Sequence, residues 1–563
     1  MPRTIPLARY LFTRLAQQNV HAIHGVPGDF GLKALDQIRP SGLKWVGNCN
    51  ELNAGYAADG YARVRGLGAL LTTYGVGELS AINAVAGSYA EHVPVVHIVT
   101  TPSTKMLQES TRRGNVHIHH SFGASSHNVF SEMAKSVTVA QTRLDNVDTA
   151  AESVDKIIQE CMHRSLPVYI DIPSDMVNID VDAVRLGDRL RGHDGSDNSE
   201  AVGPVVQSLL KRIYTAKQPL LLVDRGLGLQ NMRDEVNSFV EASGIPTLTM
   251  PSGAGMVDTS LPNYYGVHSG PVGQIDTFPY LESSDLVLAL GPMFSDTQTL
   301  GWTGVPDTNQ IITIGNTSVD RTLVDTRQVI QELSKLLDST EISQRNTNML
   351  ENFREVVAHP TTASDPIDQT NLYLKLNDSG YLQPDDVVIL ANATPVIGGR
   401  DLVLPPRVKL LASGIWFSIG HMLPAAQGAA LAQTTGRTIL FEGDGSFQVA
   451  AQELSTIIRE RLDMTIFIIN NGGYAYERQI HGMNEVYNDI APWNYLAAPH
   501  FFGRPSDYPV QTHRIETWGD LDTLLEDQTF RSGKGLKLVD VILGKYDVPD
   551  KFKQVFRRAG QLL

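Results

Sequence analysis

Residues 443–477 contain the side chains best suited to hold a cation together with an anionic ligand. The segment opens with Gly-Asp-Gly-Ser at 443–446, continues with Asn-Asn-Gly-Gly-Tyr at 470–474, and is followed by Glu477. Carboxylate, amide and carbonyl oxygens suit Mg²⁺ or Ca²⁺. Because the segment offers one carboxylate for this purpose, the missing ligands would come from phosphate oxygens and water, as Mg²⁺ prefers.

Two apolar runs lie directly before these polar clusters. Residues 438–441 and 465–469 are short and apolar, which is typical of buried strands. Apolar residues at helical spacing follow the first cluster, so the backbone amides near Ser446 would lie at a helix N-terminus, where anions bind. Because the carboxyl ends of adjacent parallel strands share one sheet edge, we expect Asp444 and Asn471 to meet there.

A Gly-Asp-Gly triplet alone is usually an ordinary turn. The whole block, however, resembles the thiamine diphosphate (ThDP) motif of the enzyme family that includes pyruvate decarboxylase, indolepyruvate decarboxylase and acetolactate synthase. The resemblance implies that Asp444, the Asn471 side chain and the Gly473 carbonyl hold Mg²⁺. It also implies cofactor contacts from the rest of the block, namely Gly443, Gly445, Ser446 and Tyr474.

Three other segments resemble the surfaces of this family that surround the cofactor rings. Residues 50–63 resemble its activating-glutamate helix, in which Glu51 would contact the pyrimidine N1′; an isolated Glu would ordinarily be a surface residue. Thr73, in a Gly-rich segment, would line the pyrimidine pocket. Ile419 would hold the cofactor in a bent form, and an exposed or merely packed Ile419 is the alternative.

Proton donors distinguish the decarboxylases of this family, and four residues match them. Asp29 follows a Pro-Gly turn, His119 and His120 belong to a His-rich segment, and Glu477 follows the diphosphate block. Imidazole and carboxyl groups suit proton transfer near neutral pH. Three of these residues belong to the first domain and one to the third, so they act together only if the two domains face each other across a cleft.

Each proton donor has a simpler alternative. Asp29 could only stabilise its turn. The histidines of 117–120 could bind a metal from a strand, although no Cys or acidic partner lies at ligand spacing. Glu477 could be a solvated helix residue paired with Arg478. We favour the catalytic interpretation because all four positions match the family pattern together.

The function implied is ThDP- and Mg²⁺-dependent, non-oxidative decarboxylation of a 2-oxo acid, either pyruvate or a larger aliphatic or aromatic one, to an aldehyde and CO₂. A carboligase that makes acyloins or acetolactate is one alternative, and an inactive structural or regulatory homologue is another. Three departures from the family pattern leave the substrate open, namely Phe417 for a usual Gly, Tyr476 for a small aliphatic residue, and residues 392–394.

The predicted fold class is α/β with three doubly wound parallel-sheet domains of the ThDP-enzyme fold. The boundaries are residues 1–182 for the pyrimidine-binding domain, 200–345 for a central Rossmann-like domain, 368–545 for the diphosphate- and Mg²⁺-binding domain, and 546–563 for a C-terminal tail. Strands are predicted at 69–73, 95–99, 168–172, 220–223, 285–290, 310–314, 387–390, 438–441, 465–469 and 536–543.

Composition agrees with a large soluble enzyme. The chain has 563 residues, 42% of them hydrophobic, and neither a membrane-spanning run nor a targeting signal is expected. Its two cysteines, Cys49 and Cys161, exclude a disulfide framework and favour the cytoplasm. A net charge of -15 argues against nucleic acid or anionic membrane as a partner. The family resemblance implies at least a homodimer, and commonly a homotetramer.

Overall fold

The computed structural model describes residues 3–114, 116–122, 127–190, 196–230, 232–342 and 346–552. The chain forms two compact units. Unit one comprises residues 1–194 together with 423–434 and 450–462, and unit two comprises the remaining residues.

Unit one contains a parallel sheet of six strands and a separate antiparallel pair. The strands are β1 (Thr4–Pro6), β2 (Ala22–Gly25), β3 (Lys44–Gly47), β4 (Gly68–Thr73), β5 (Val95–Thr101), β6 (Ala140–Arg143), β7 (Val168–Pro173) and β8 (Asp180–Asp182). The sheet order is β3-β2-β4-β5-β7-β6, and β1 pairs with β8. Every residue of β4, β5 and β7 is buried, which explains their continuous apolar character.

Helices surround this sheet. They span Leu7–Gln17, Leu32–Leu35, Glu51–Arg65, Val76–Ala90, Thr104–Arg113, Val129–Ala134, Val147–Arg164, Met422–Ala432 and Leu454–Arg459.

Two of these helices approach each other through glycine. A Cβ atom at Gly60 would lie 2.0 Å from the Ala425 carbonyl oxygen, and one at Gly428 would lie 1.9 Å from that of Ala57. The helices Glu51–Arg65 and Met422–Ala432 therefore touch backbone to backbone. This contact explains the small-residue composition of the Glu51 helix.

Unit two contains two sheets, and the first has seven strands. They are β9 (Pro219–Val223), β10 (Thr247–Thr249), β11 (Tyr264–Val267), β12 (Leu286–Leu290), β13 (Ile311–Ile314), β14 (Ser318–Val319) and β15 (Thr322–Leu323), in the order β11-β10-β9-β12-β13-β14-β15. The first five are parallel, and β14 and β15 add antiparallel pairs at one edge. The α-helices of this part are Val202–Thr215, Arg233–Ser243, Phe278–Ser283, Asp296–Thr299 and Thr326–Leu336.

The second sheet of unit two has six parallel strands. They are β16 (Val387–Leu390), β17 (Lys409–Ala412), β18 (Thr438–Gly443), β19 (Met464–Asn470), β20 (Val510–Ile515) and β21 (Leu536–Ile542), in the order β17-β16-β18-β19-β21-β20. Its helices are Gln369–Asp378, Thr394–Gly398, Asp444–Ala450, Ala475–Ile480, Ala498–Phe501, Trp518–Glu526 and Gln528–Arg531.

The predicted fold class is confirmed, and every predicted strand is present with ends shifted by no more than two residues. The domain boundaries stay a prediction, and residues 553–563 of the predicted tail lie outside the described residues. Sequence periodicity did not indicate that residues 423–434 and 450–462 pack with the N-terminal unit. None of the helices described is both long and apolar enough to cross a bilayer.

Gly428→Ala tests the backbone contact between the two helices. We expect it to destabilise unit one by about 1–3 kcal/mol, because the added methyl group overpacks against the Ala57 carbonyl. Urea unfolding followed by circular dichroism measures the effect as a lower midpoint. Gly203→Ala is the matched helical control, since its Cβ would meet no atom within 4 Å; equal destabilisation by both variants would contradict this account.

Candidate active site

The first group of candidate residues lies where β18 and β19 end. The two strands pair in parallel, with Gly443 opposite Ile469, so both polar clusters emerge at one edge. Asp444 is buried and begins the helix Asp444–Ala450. Its Oδ1 accepts a hydrogen bond from the Gly445 amide at 2.7 Å, and its Oδ2 accepts from the amides of Gly472 and Gly473 at 2.7 and 3.1 Å.

Asn471 has an unused ligand atom beside this carboxylate. Its side chain is 6% exposed, and its Oδ1 has no hydrogen-bond partner within the described part of the chain. A Cβ atom at Gly443 or Gly472 would meet nothing within 4 Å, so there is open space along both loops. Gly473 adopts φ 146° and lies against the Asn488 carbonyl, where no larger residue fits. The structure thus brings Asp444, Asn471 and Gly473 together, and the donor set fits Mg²⁺.

The burial of Asp444 also has an electrostatic consequence. Burial raises the pKa of its carboxyl group to about 6, although the hydrogen bonds that it accepts from backbone amides lower that pKa. A divalent cation would favour the ionised form and so offset the cost of burying this charge.

Ser446 connects the same loop to a residue that the sequence did not indicate. Its hydroxyl donates to Glu442 Oε1 at 2.8 Å and accepts from the Gly420 amide at 2.9 Å. Glu442 is fully buried, and burial raises the pKa of its carboxyl group to about 8. The predicted diphosphate loop is therefore attached to the turn that carries Ile419. Glu442 had no sequence signal because it lies inside an apolar strand.

The turn around Ile419 resolves one sequence departure. Phe417 has φ 52°, and its ring lies 6.2 Å from that of Tyr476, against the core of the β16–β21 sheet. The Asn392 amide donates to the Ser418 carbonyl at 2.5 Å. Ile419 is 38% exposed. An Ile419 without a cofactor contact would be exposed as well, so the contact with a cofactor stays a prediction.

Glu477 lies in the first turn of the helix Ala475–Ile480 and is exposed. Partial desolvation raises the pKa of its carboxyl group. The alternative pairing of Glu477 with Arg478 is wrong, because Arg478 is buried and forms its ion pair with Asp489 at 2.6 Å. Arg478 also donates to the Asn488 carbonyl at 2.9 Å, so it braces the Gly473 loop from behind.

The second group of candidate residues belongs to unit one, where Glu51 begins the helix Glu51–Arg65. Asn50 caps this helix by accepting from the Asn53 amide at 2.7 Å. The buried carboxylate of Glu453 holds the entry to the helix, because it accepts from the side chains of Asn48 and Asn53 at 2.7 and 3.1 Å. Sequence reasoning missed Glu453 because it lies far along the chain from the helix that it positions.

Glu51 is brought together with Thr73. A Cβ atom at Gly77 would lie 3.1 Å from Thr73 Cγ2 and 3.2 Å from Glu51 Oε1, so Gly77 leaves room for both. Glu51 is half-buried, and burial raises the pKa of its carboxyl group. The Thr73 hydroxyl is buried without a partner among the described residues. An aminopyrimidine ring would satisfy such groups.

Asp29, His119 and His120 also meet in unit one. His119 Nε2 lies 2.7 Å from Asp29 Oδ2, His120 Nε2 lies 3.9 Å from Asp29 Oδ1, and the His119 ring stacks on Phe30 at 4.9 Å. The residue before this cluster, Gly28, packs against Thr73. Three of the four predicted proton donors therefore lie beside the Glu51 group.

Two expectations about the histidines need correction. Residues 117–120 form an irregular turn rather than a strand. An acidic partner does exist, because ligand atoms of Asp29, His119 and His120 lie within 4.8 Å of one another. We favour proton transfer over metal binding because Asp29 and His119 are joined by a direct hydrogen bond.

Glu78 positions this cluster from behind. It accepts from the Gly75 amide at 2.8 Å and from the Tyr169 hydroxyl at 2.8 Å. Gly75 has φ 65°, and a Cβ there would lie 1.9 Å from the His120 carbonyl oxygen, so only glycine fits. Burial raises the pKa of Glu78 to about 7.

Comparisons with known proteins find relatives over most of the chain. Three family models match, namely the thiamine pyrophosphate enzyme N-terminal TPP binding domain at residues 5–133, the central domain at 206–338 and the C-terminal TPP binding domain at 402–541. A pyruvate decarboxylase of Aspergillus parasiticus is 42% identical, covering 97% of this chain and 96% of that protein. A putative pyruvate decarboxylase of Schizosaccharomyces pombe is 35% identical over 98% and 97%, and pyruvate decarboxylase isozyme 1 of Saccharomyces cerevisiae is 33% identical over 97% and 96%.

Glu78→Gln tests the burial of this acid through the pH dependence of stability. Because the folded pKa is raised, the proton stabilises the fold at low pH, and this contribution is lost as pH rises from about 4.5 to about 7. The free energy of unfolding of the wild type, relative to the variant, should therefore fall by up to about 3 kcal/mol over this range. Urea midpoints across the range measure it. The exposed Glu132→Gln is the control, and a pH-independent difference would contradict the account.

Proposed function

This chain belongs to the thiamine pyrophosphate enzyme family and is a 2-oxo acid decarboxylase that uses ThDP and Mg²⁺, and we propose that its substrate is pyruvate or a larger 2-oxo acid, released as the aldehyde and CO₂. The observation that carries the proposal is the direct 2.7 Å contact between Asp29 and His119 beside Thr73. It supplies a proton relay next to the residues expected to face the reacting carbon.

The residues at the ends of β18 and β19 would hold the metal and the diphosphate. Asp444 and the free Asn471 Oδ1 would contact Mg²⁺, with the Gly473 carbonyl as the third protein ligand. When bound there, ThDP would supply the electron sink that decarboxylation requires. The chain itself supplies geometry, protons and exclusion of water.

Glu51 would share a proton with the pyrimidine N1′. Its half-buried position raises its pKa, which brings the carboxyl group closer to the basicity of such a ring nitrogen. The neighbouring Thr73 and Gly77 limit where the carboxyl group can lie. Glu51 is thus a candidate for direct cofactor activation, and Glu453 is a positioning residue for it.

Asp29, His119, His120 and Glu477 would carry protons to and from the substrate. The raised pKa of Glu477 favours its protonated form near the carboxylate that is lost. A proton delivered to the former keto carbon gives an aldehyde, whereas the carboligase alternative needs a second carbonyl compound at that place. Retention of Glu51, Asp444 and Asn471 argues against an inactive homologue.

We also propose a homodimer at minimum, and a homotetramer as the working form, in the cytoplasm. The family resemblance supports this proposal, and the Glu51 group and the Asp444 group belong to different compact units. The free thiols of Cys49 and Cys161 suit a reducing compartment. Analytical ultracentrifugation with and without ThDP and Mg²⁺ gives the subunit number.

The proposed reaction is tested by CO₂ release from pyruvate, branched-chain, phenylpyruvate and indolepyruvate substrates with added ThDP and Mg²⁺. We expect stoichiometric aldehyde from at least one of them, and chelation of the metal should abolish turnover. Acetolactate or acetoin as the main product from pyruvate would favour the carboligase. Cofactor binding without CO₂ from any substrate would favour the inactive homologue.

Substitution of Glu51 and Glu477 separates their roles. Glu51→Gln should lower kcat by about a hundredfold or more, because the amide cannot exchange a proton with the ring nitrogen. Glu477→Gln should slow decarboxylation or aldehyde release by at least about tenfold and keep the Kd for ThDP, because Glu477 lies outside the diphosphate loop. The exposed Glu485→Gln is the control. Near-wild-type turnover in either variant would contradict its assigned role.

A further inference from the structure

A buried guanidinium group lines a small cavity in unit two. The cavity has a volume of about 30 Å³, and its lining includes Arg400, Thr297, Gln298, Ile397, Phe417 and Tyr476. That volume admits about two water molecules or one carboxylate group. Arg400 is 6% exposed.

The hydrogen-bond partners of Arg400 in the described part of the chain are neutral. One η nitrogen donates to the Thr297 carbonyl at 3.0 Å, the other lies 3.4 Å from Ser269 Oγ, and Nε has no partner. Burial lowers the pKa of Arg400 to about 10, so it is still charged at neutral pH. Buried charges are ordinarily paired, because an unpaired one is costly.

The Asp401 carboxylate attracts the Arg400 guanidinium electrostatically, and it offsets that charge only in part. Asp401 is buried, but its carboxylate forms its ion pair with Lys551. Asp296, at the start of a helix beside the cavity, is exposed. Arg400 and Lys551 thus share one carboxylate, which leaves a net positive charge beside a space with room for an anionic group.

Two residues of the cavity lining lie close in the chain to residues of the proposed reaction centre. Tyr476 directly precedes Glu477, and Phe417 lies two residues before Ile419. The pKa of the Tyr476 phenol is raised mainly by burial and further by the Glu477 carboxylate, whereas the Arg400 guanidinium lowers it. Tyr476 thus lies within electrostatic reach of both groups. Phe417 and Tyr476 are also two of the departures from the family pattern noted in the sequence.

We propose that Arg400 is a specificity-determining residue that binds a carboxylate at the far end of the substrate side chain, so the preferred substrate is a 2-oxo dicarboxylic acid. This inference rests on the proposed function. The guanidinium would pair with the distal carboxylate, as its free Nε–H and its weakly held η nitrogens permit.

The reaction leaves the distal carboxylate unchanged. The bond between the 2-oxo carbon and the adjacent carboxylate carbon breaks, CO₂ leaves, and one proton is added to the former keto carbon. A 2-oxo dicarboxylate and one proton therefore give CO₂ and an aldehyde that carries a carboxylate at its other end, with no oxidant or reductant required.

The test compares 2-oxo dicarboxylates with 2-oxo monocarboxylates of the same shape, in which an uncharged isopropyl group replaces the distal carboxylate. 2-Oxoglutarate is paired with 5-methyl-2-oxohexanoate, and 2-oxoadipate with 6-methyl-2-oxoheptanoate. For at least one pair we expect the wild-type kcat/KM to favour the acidic member by about tenfold or more. Arg400→Met should lower that ratio by about thirtyfold or more, because the distal carboxylate of the substrate would lose its charged partner. Arg400→Lys should restore part of the ratio, because lysine keeps the positive charge without the planar guanidinium.

Arg233→Met is the matched control. Arg233 also lies in unit two and donates to a backbone carbonyl, that of Val408, at 3.1 Å, but it does not line the cavity. Its substrate ratio should stay within about threefold of the wild type. Titration of ThDP and Mg²⁺ into each variant shows whether the fold is intact, and the wild-type ratios test the proposal even if Arg400→Met does not fold.

The outcomes separate this inference from the proposed function. Absence of CO₂ from pyruvate and from every other substrate would overturn the proposed function. CO₂ release without preference for the acidic members, or an equal loss for both members of a pair in Arg400→Met, would overturn the inference alone. So would an effect of glutarate on pyruvate turnover with no decarboxylation of the dicarboxylates, because Arg400 would then bind an effector.

Discussion

The hydrogen bonds of the Asp444 carboxylate are the interaction on which the proposed diphosphate-binding half of the site depends. The carboxylate accepts hydrogen bonds from its own loop and from the amides of Gly472 and Gly473, so it joins the ends of two parallel strands. Because its oxygens are shared between two loops, the carboxylate cannot move without both of them. The free Oδ1 of Asn471 is held beside it as a result. The proposed metal site therefore depends on the same hydrogen bonds that fix the two loops.

A second feature is the use of buried acids to position the elements around the site. Glu442 fixes the Ser446 hydroxyl, Glu453 fixes the entry to the Glu51 helix, and Glu78 fixes Gly75 against the His120 carbonyl. Burial raises the pKa of each of these acids. Each accepts hydrogen bonds from neutral donors, so its protonated form is compatible with the fold. These hydrogen bonds fix the orientation of the neighbouring elements without a buried ion pair.

Arg400 contrasts with these acids because it stays charged while its hydrogen-bond partners are neutral. A protein gains nothing in stability from such a group unless something pairs with it. Arg400 lines one cavity with Tyr476 and Phe417, which are two of the departures from the family pattern in the sequence. If Arg400 binds a substrate carboxylate, substrate choice would follow from the cost of leaving a buried charge unpaired.

Local pattern determined much of this protein from the sequence alone. Apolar runs located every predicted strand, and the polar clusters after β18 and β19 located Asp444 and Asn471, because chain direction places such clusters at one sheet edge. Only the tertiary structure decided which groups meet. Glu453 binds the start of the Glu51 helix, Arg478 pairs with Asp489, and Arg400 lines a buried cavity. These contacts join residues from separate elements, so no local periodicity or spacing encodes them, and the buried charges among them leave no apolar signature.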